Sequence, residues 1–190
     1  MKPKDDKKLD AVIAATCRLA AERGLYGLTL AQIAKEAGIG TSTLYVYFPD
    51  KETLFNEVYR RAKREALDIY STGIERSLPL KTQVRGVWNK MLDHRLHRFD
   101  QVSFMEQFSG SSFISDESRA YVEKHGEGLV QIVVDGQKQE ILKSIPIPFI
   151  SSLFFGSIRE TAGLIRAGSI ADTEDTREIA FRLCWDGIRG

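Results

Sequence analysis

Cysteine is scarce in this chain: there are two among 190 residues, Cys17 and Cys184, at opposite ends of the sequence. Two cysteines cannot supply the several disulfides that stabilise small secreted domains. Each lies within a helical pattern among apolar neighbours, where a thiol behaves as a small hydrophobic side chain. We therefore expect two buried thiols in a cytoplasmic protein, in preference to a disulfide or a redox pair.

Long apolar runs are also missing. The most apolar stretch, residues 145–158, is interrupted by Pro146, Pro148 and Gly156, whereas a membrane-spanning helix needs about 20 apolar residues. Residues 1–6 are followed by no apolar segment of the kind that a secretory signal requires. These absences predict a protein without a membrane span or a secretory signal.

An excess of charge of one sign is absent as well, since 27 Lys and Arg face 26 Asp and Glu and the net charge is +1. This balance excludes a protein that coats nucleic acid non-specifically, which would be strongly basic. Residues 1–70 are only mildly basic, with 12 basic and 10 acidic residues. A hydrophobic content of 43% excludes disorder along the whole chain.

Helical periodicity dominates the sequence and predicts an all-α fold of about nine helices. The N-terminal part predicts a helix that ends at Gly24, a second that begins after Thr29, a short third over residues 41–48 and a long fourth over residues 51–71. Thr29 and Gln32 have the spacing of a capping box. Further helices are expected at about residues 81–99, 102–108, 115–142, 148–167 and 173–188.

The helices group into two expected domains. Residues 1–50 form a three-helix N-terminal domain, to which the linking helix at residues 51–71 attaches, and residues 51–190 form a larger helical body. Residues 129–134 have strand propensity, but the segment stands alone among helical patterns, so we assign it to a helix.

The second and third helices, joined by a tight turn at residues 37–40, have the pattern of a helix-turn-helix, in which the third helix enters a DNA major groove. On the third helix Leu44 and Phe48 point inward. The opposite face carries Thr41, Ser42, Tyr45 and Val46, with Thr43 and Tyr47 beside it. Hydroxyl groups on an exposed helix face suit phosphates, and apolar groups suit thymine methyls.

Two other interpretations stay open at this point. Tyr45 and Tyr47 could be partly buried aromatics that pack on the first helix. The whole chain could be a helical ligand-binding or protein-interaction module without DNA-binding activity.

The segments TLAQIAKEAGI (residues 29–39) and TLYVYFPDKETLF (residues 43–55) resemble the signature of the TetR family of bacterial transcriptional regulators. The resemblance covers about residues 8–60, and its second segment is far more specific than a generic helix-turn-helix. It implies a sequence-specific DNA-binding regulator, most often a repressor that binds an inverted-repeat operator as a homodimer and is released by a small-molecule ligand. An activator is the alternative outcome.

The resemblance also implies roles for individual residues. Phosphate contacts fall on Thr29, Thr43, Tyr47 and Lys51, and base-facing positions fall on Thr41, Ser42, Tyr45 and Val46. The sequence departs from the family pattern at Gly40, where a capping residue such as serine is common, and at Ser42, where many members have glycine. Ala31 places no long polar side chain on the second helix.

The rest of the chain fits the family in length and helix order, which implies a ligand-binding and dimerisation domain. Its aromatic and thioether side chains predict an apolar core, and a pocket would need a few polar groups that converge on it. Each apolar residue of this kind is more often part of a core than a ligand contact. The candidate pocket residues are Tyr59, Lys63, Trp88, Met91, Phe104, Glu106, Phe108, Phe155 and Arg159.

The last two predicted helices have more apolar surface than one buried face requires, which favours burial between layers or between subunits. In the family, the corresponding helices form a four-helix bundle with those of a second chain, so the resemblance implies a twofold homodimer. The expected contact residues are Phe149, Leu153, Ile158, Ile165, Phe181 and Trp185.

No pattern in the sequence indicates an enzyme or a cofactor, because it contains no nucleophile elbow, no Ser-His-Asp arrangement and no phosphate-binding glycine loop. His94 and His97 are three residues apart on a predicted helix, a spacing that could bind one metal ion. No third ligand is identifiable, and we interpret the pair as part of a solvated helix face.

Overall fold

The computed structural model describes residues 3–190, with side chains from Lys7 onward, and it confirms the all-α prediction. No strand lies within that range, and no helix in it is long and apolar enough to cross a membrane. Residues 1 and 2 of the predicted N-terminal domain lie outside the described residues. The described helices are α1 (Pro3–Arg23), α2 (Leu30–Glu36), α3 (Thr41–Tyr47), α4 (Lys51–Ser71), α5 (Leu80–His97), α6 (Phe99–Ser109), α7 (Asp116–Lys138), α8 (Ile147–Arg166) and α9 (Glu174–Ile188).

The backbone folds into two compact units. The first unit combines the described residues up to Glu65 with Arg98–Lys124, and the second combines Ala66–His97 with His125–Gly190. Helices α4 and α7 each contribute residues to both units. The functional division at residue 50 stays a prediction.

An aromatic cluster forms the base of the first unit. Phe55 of α4 meets Phe104 of α6 edge-on, with ring centroids 5.9 Å apart, and Phe104 stacks on Phe108 at 5.6 Å. All three rings are fully buried, and such pairs add about 0.5–1.5 kcal/mol each beyond the area that they bury. Helix α1 packs on both α6 and α2, and α2 packs on α3. The two short helices are therefore connected through α1 to α6, which carries two of these rings.

The turn between α2 and α3 is fixed by backbone hydrogen bonds. The Ile39 N–H donates to the Ala34 carbonyl at 3.0 Å and the Gly38 N–H donates to the Lys35 carbonyl at 3.2 Å, the two bonds of a Schellman motif. Gly38 has φ +68°, a left-handed conformation that glycine adopts without steric cost. This residue therefore sets the direction in which the chain leaves α2 and enters α3.

The second unit is built on α8, which packs against α5 and α9. Helix α7 ends at Lys138, four residues earlier than the sequence predicts. The physical reason is Glu140, which takes a left-handed conformation with φ +58° and ends the helical path. The chain after it forms an isolated antiparallel bridge between Leu142 and Arg189, next to the end of α9.

Both cysteines are buried free thiols, as predicted. Burial raises the pKa of Cys17 to about 12 and also raises that of Cys184. The interpretation of His94 as a solvated residue is wrong: it is buried, and its Nδ1 lies 2.6 Å from the hydroxyl oxygen of Tyr70, whose ring packs against it. Among the side chains described, no group of three His, Cys, Asp or Glu could hold a metal ion.

Candidate nucleic-acid interface

The face of α3 opposite its buried side is exposed. Leu44 and Phe48 are buried, as the sequence predicts, whereas Val46, Tyr45 and Tyr47 expose 82%, 53% and 40% of their surface. Burial of both tyrosines against the first helix does not fit these fractions. Three neighbouring apolar or aromatic side chains left open on one short helix are typical of an interaction surface.

Hydroxyl side chains surround this exposed patch. Thr41 and Ser42, in the first turn of α3, are exposed, and Thr43 is half-buried. Gly40 precedes the helix at φ −67°, an ordinary backbone conformation, and supplies no side-chain cap. The N-terminal turn of α3 therefore carries two hydroxyl side chains that are open to solvent.

Thr29 caps the N-terminus of α2 through the predicted capping box. The Gln32 N–H donates to Thr29 Oγ1 at 3.2 Å, and the Thr29 N–H donates to Gln32 Oε1 at 2.8 Å. The Thr29 hydroxyl also donates to Gln32 Oε1 at 3.1 Å. The side chain is exposed and held in one orientation, so a phosphate contact would exchange the hydroxyl's bond to Gln32 for one to DNA.

Lys51 is the first residue of α4, and three residues separate it from the end of α3. Asp50 caps α4 by accepting the N–H of Thr53 at 2.7 Å, and this hydrogen bond lowers the pKa of the Asp50 carboxyl group. The Lys51 Nζ donates to the Tyr26 carbonyl at 3.2 Å and lies 4.9 Å from the centre of the Phe113 ring. Together with Thr29 and the residues of α3, Lys51 completes the predicted DNA-binding set, and every residue of the set lies in the first unit.

Five of the nine predicted ligand residues lie in the first unit. Phe104 and Phe108 belong to its aromatic cluster, and the Tyr59 ring is buried 5.0 Å from that of Phe108. The Lys63 Nζ lies 5.6 Å from the Tyr59 ring, and burial lowers the pKa of this lysine while the nearby Glu106 carboxylate opposes the shift. In these positions the rings stabilise the core, and a ligand role for the five stays a prediction.

The second unit contains an apolar cavity of about 110 Å³. Of the other four predicted ligand residues, Met91 and Phe155 line it. Trp88 is instead fully buried, and Arg159 is exposed and pairs with Glu160 at 3.0 Å. The full lining is Val84, Val87, Met91, Leu129, Val130, Ile132, Val133, Leu142, Ile150, Ser151, Phe154, Phe155 and Ile188.

Sequence reasoning missed most of this lining because ordinary aliphatic residues do not stand out in a helical sequence. The one available signal was the aliphatic run at residues 129–134, which supplies four of the lining residues. Ser151 is the single polar side chain in the lining. The cavity therefore suits an uncharged apolar group, with one hydroxyl available for a hydrogen bond.

The six predicted dimer-contact residues are split between the surface and the interior of the second unit. Phe149 and Leu153 are exposed, whereas Ile158, Phe181 and Trp185 are buried in the unit's own core, because α8, α9 and α5 pack together through them. Ile165 is partly buried against the same core. Beyond the six predicted contact residues, the exposed apolar residues of α8 and α9 also include Phe155, Leu164, Ile179 and Leu183.

Comparison with known proteins covers nearly the whole chain. Residues 12–58 match the bacterial regulatory proteins of the tetR family, and residues 64–190 match the tetracyclin repressor-like C-terminal domain. The crystal structure of a TetR family transcription regulator from Marinobacter aquaeolei VT8 is similar to this fold with a TM-score of 0.92. It is 28% identical in sequence, and the match covers 100% of this chain and 99% of that one.

Two curated relatives are regulators as well. The fatty acid metabolism regulator protein of Bacillus subtilis is 24% identical over 172 residues, which cover 85% of this chain and 84% of the relative. An uncharacterized HTH-type transcriptional regulator of Haemophilus influenzae is 28% identical over 82 residues, which cover 43% of this chain and less than half of that protein. With both segments matched and the helix-turn-helix exposed, the chain belongs to the TetR family and is a DNA-binding transcriptional regulator, not an enzyme.

Proposed function

We propose that the protein is a repressor that binds an inverted-repeat operator as a homodimer and is released when a small apolar ligand binds. The observation that carries the proposal is the exposed patch of α3, which lies opposite the buried Leu44 and Phe48. A twofold dimer presents two such helices, so the operator half-sites should be about 34 Å apart, one turn of DNA, or slightly more.

Within this proposal the residues around α3 divide the work of DNA recognition. Lys51 and the hydroxyls of Thr29, Thr43 and Tyr47 contact phosphates, which fixes the protein on the duplex. The base-facing set is Thr41, Ser42, Tyr45 and Val46. Because this set of phosphate contacts contains one formal charge per protomer, the salt dependence of binding should be shallow compared with that of strongly basic DNA-binding proteins.

The exposed apolar face of α8 and α9 supports the homodimer. Phe149 and Leu183 expose 66% and 71% of their surface, and Leu153, Leu164 and Ile179 are also exposed. The two helices pack on each other, and apolar side chains exposed on neighbouring helices are stabilised when a second copy covers them. We therefore assign the dimer contact to these five residues and no longer to the buried Ile158, Phe181 and Trp185.

The apolar cavity supports ligand control. An engineered apolar cavity of about 150 Å³ binds benzene, so a cavity of about 110 Å³ suits a short alkyl chain or a small ring. The relative that regulates fatty acid metabolism makes fatty acyl compounds the first class to test. A ligand that favours the DNA-free form weakens DNA binding, and DNA weakens ligand binding by the same factor.

The decisive experiment is selection of bound duplexes from random DNA with the full chain, repeated in the presence of fatty acyl compounds of increasing length. We expect an enriched inverted repeat and weaker binding with at least one compound. Transcription in vitro, with the selected site placed across a promoter, separates a repressor from an activator. Absence of any enriched sequence would contradict the proposal. Enrichment that none of the fatty acyl compounds weakens would argue only against release by such a ligand.

A further inference from the structure

The ammonium group of Lys51 lies in a pocket of three groups, which we call the lysine cradle. Its Nζ donates to the Tyr26 carbonyl at 3.2 Å and lies 4.9 Å from the centre of the Phe113 ring and 5.8 Å from that of Phe55. The Tyr26 and Phe113 rings contact each other, with centroids 5.3 Å apart. A cation over aromatic faces is stabilised by the ring quadrupoles, so the cradle favours one position of the ammonium.

The cradle is itself held in place from the segment between α6 and α7. The buried Asn56 of α4 donates from Nδ2 to the Phe113 carbonyl at 2.8 Å and accepts the Ser115 N–H at Oδ1 at 3.0 Å. The Phe113 ring also meets Phe55 edge-on at 6.0 Å. A ring from a distant part of the sequence is thus fixed beside the first residue of α4, within the same compact unit.

This arrangement leaves the ammonium able to bind an anion. An ammonium has three N–H donors, and the Tyr26 carbonyl takes one of them. A carboxylate would neutralise the positive charge, whereas the aromatic faces stabilise it and leave it in place. A lysine that is free in solution loses side-chain entropy when it binds, and a lysine that is already held loses less of it.

We propose that Phe113 is a positioning residue for DNA binding. It holds the Lys51 ammonium in a position from which an N–H group can donate to a DNA phosphate. The entropy of this long side chain is therefore already lost in the free protein and is not lost again on DNA binding. The proposal rests on the phosphate contact of Lys51 in the proposed function. It adds a residue outside the helix-turn-helix to the determinants of affinity.

A double-mutant cycle on the full chain tests this role. Affinity for a mixed-sequence DNA duplex is measured over a range of salt concentrations for the wild type, Phe113→Leu, Lys51→Ala and the double variant. Phe113→Leu should weaken binding about two- to tenfold per protomer, the cost of immobilising one flexible side chain. The salt slope should not change, because the same phosphates are still contacted. Lys51→Ala should lower the salt slope by about one per protomer, or about two for the dimer.

The double variant separates positioning from a purely structural effect. In the Lys51→Ala background there is no ammonium to position, so Phe113→Leu should change affinity by less than about twofold. A difference of about twofold is the uncertainty with which the effects of independent substitutions add. Phe113→Tyr keeps the ring and should bind DNA as tightly as the wild type. If thermal unfolding shows that Phe113→Leu is misfolded, Phe113→Met serves as a second variant without a ring.

Three results would overturn the proposal. An equal loss in both backgrounds would mean that the ring acts on the fold alone, and an unchanged affinity of a folded Phe113→Leu would mean that Lys51 needs no positioning. If Lys51→Ala leaves both affinity and salt slope unchanged, the phosphate contact itself is wrong, and the positioning role fails with it.

Discussion

The indole N–H of Trp88 on α5 donates to the hydroxyl oxygen of Ser157 on α8 at 2.9 Å. Trp88 is fully buried, so Ser157 satisfies a donor that would otherwise lack a partner in the core. The Ser157 hydroxyl donates onward to the Phe154 carbonyl at 2.7 Å. This short chain of hydrogen bonds lets the two central helices of the second unit pack around a tryptophan.

Replacing Ser157 by alanine should therefore lower the free energy of unfolding by about 1–3 kcal/mol, the cost of a buried donor without a partner. Urea unfolding followed by tryptophan fluorescence measures the change. Ser152→Ala is the matched control, because Ser152 is exposed on the same helix. Its replacement changes helix propensity by the same amount as Ser157→Ala. Equal stabilities of the two variants would mean that the hydrogen bond contributes nothing.

Gly38→Ala should destabilise the helix-turn-helix by about 1–2 kcal/mol, because a side chain at φ +68° meets the steric cost of the left-handed conformation. The same variant should bind DNA more weakly, since the turn orients α3. Gly86→Ala is the control: Gly86 is exposed inside α5 with open space around it, and alanine there should stabilise by about 0.5–1 kcal/mol. A Gly38→Ala variant as stable as wild type would show that the turn tolerates another geometry.

Asp172→Asn should remove a pH-dependent contribution to stability. Two N–H groups of Arg177 donate to the Asp172 carboxylate at 2.6 and 2.8 Å and lower its pKa below the ordinary 3.8. The lowered pKa means that the contribution is complete above about pH 4 and is lost as the pH falls through the folded-state value. The pair is partly exposed, so the effect at neutral pH should stay below about 1 kcal/mol.

Urea unfolding of the wild type and Asp172→Asn at pH 7 and at successively lower pH values checks this prediction. The two proteins should converge as the medium becomes acidic. Glu127→Gln, which neutralises an exposed carboxylate on α7, controls for the general effect of net charge. A stability difference that does not change with pH would exclude the titration of Asp172 as its cause.

Val46→Ala should alter the preferred base at one position of each operator half-site. Val46 is the most exposed of the three apolar and aromatic residues on the face of α3, where an apolar side chain can contact a thymine methyl group. A wrong base pair typically costs about 1–3 kcal/mol, and loss of one apolar contact with a methyl group should remove about 1 kcal/mol of this discrimination. Selection from random DNA with both proteins reads the change directly. An identical selected sequence would remove Val46 from the base-facing set.

Leu183→Glu should convert the proposed dimer into a monomer. Leu183 exposes 71% of its surface on α9, and a carboxylate buried between two copies would lose its hydration without a partner. Light scattering at micromolar concentration measures the mass. Leu78→Glu, at an exposed leucine before α5, should leave the mass unchanged. A wild-type monomer under the same conditions would contradict the dimer itself.

The helix-turn-helix could be predicted from the sequence because its determinants are local. Thr29 and Gln32 are three residues apart, and Gly38 follows α2 at the position where a left-handed residue closes the helix. Leu44 and Phe48 lie one helical turn apart, so their inward orientation follows from periodicity alone. Each of these features depends on neighbours within a few residues, and the structure confirms each one.

Only the tertiary structure decided which apolar residues of the body lie inside. The sequence predicts two helices with excess apolar surface, but it does not determine which face of each helix packs against the chain's other helices. In the structure Phe181 is buried and Leu183 is exposed. Residues 129–134, with strand propensity, became part of α7 because packing places Ile132 in the core. The position of Phe113 beside Lys51 depends on two segments far apart in sequence, and no local pattern could predict that contact.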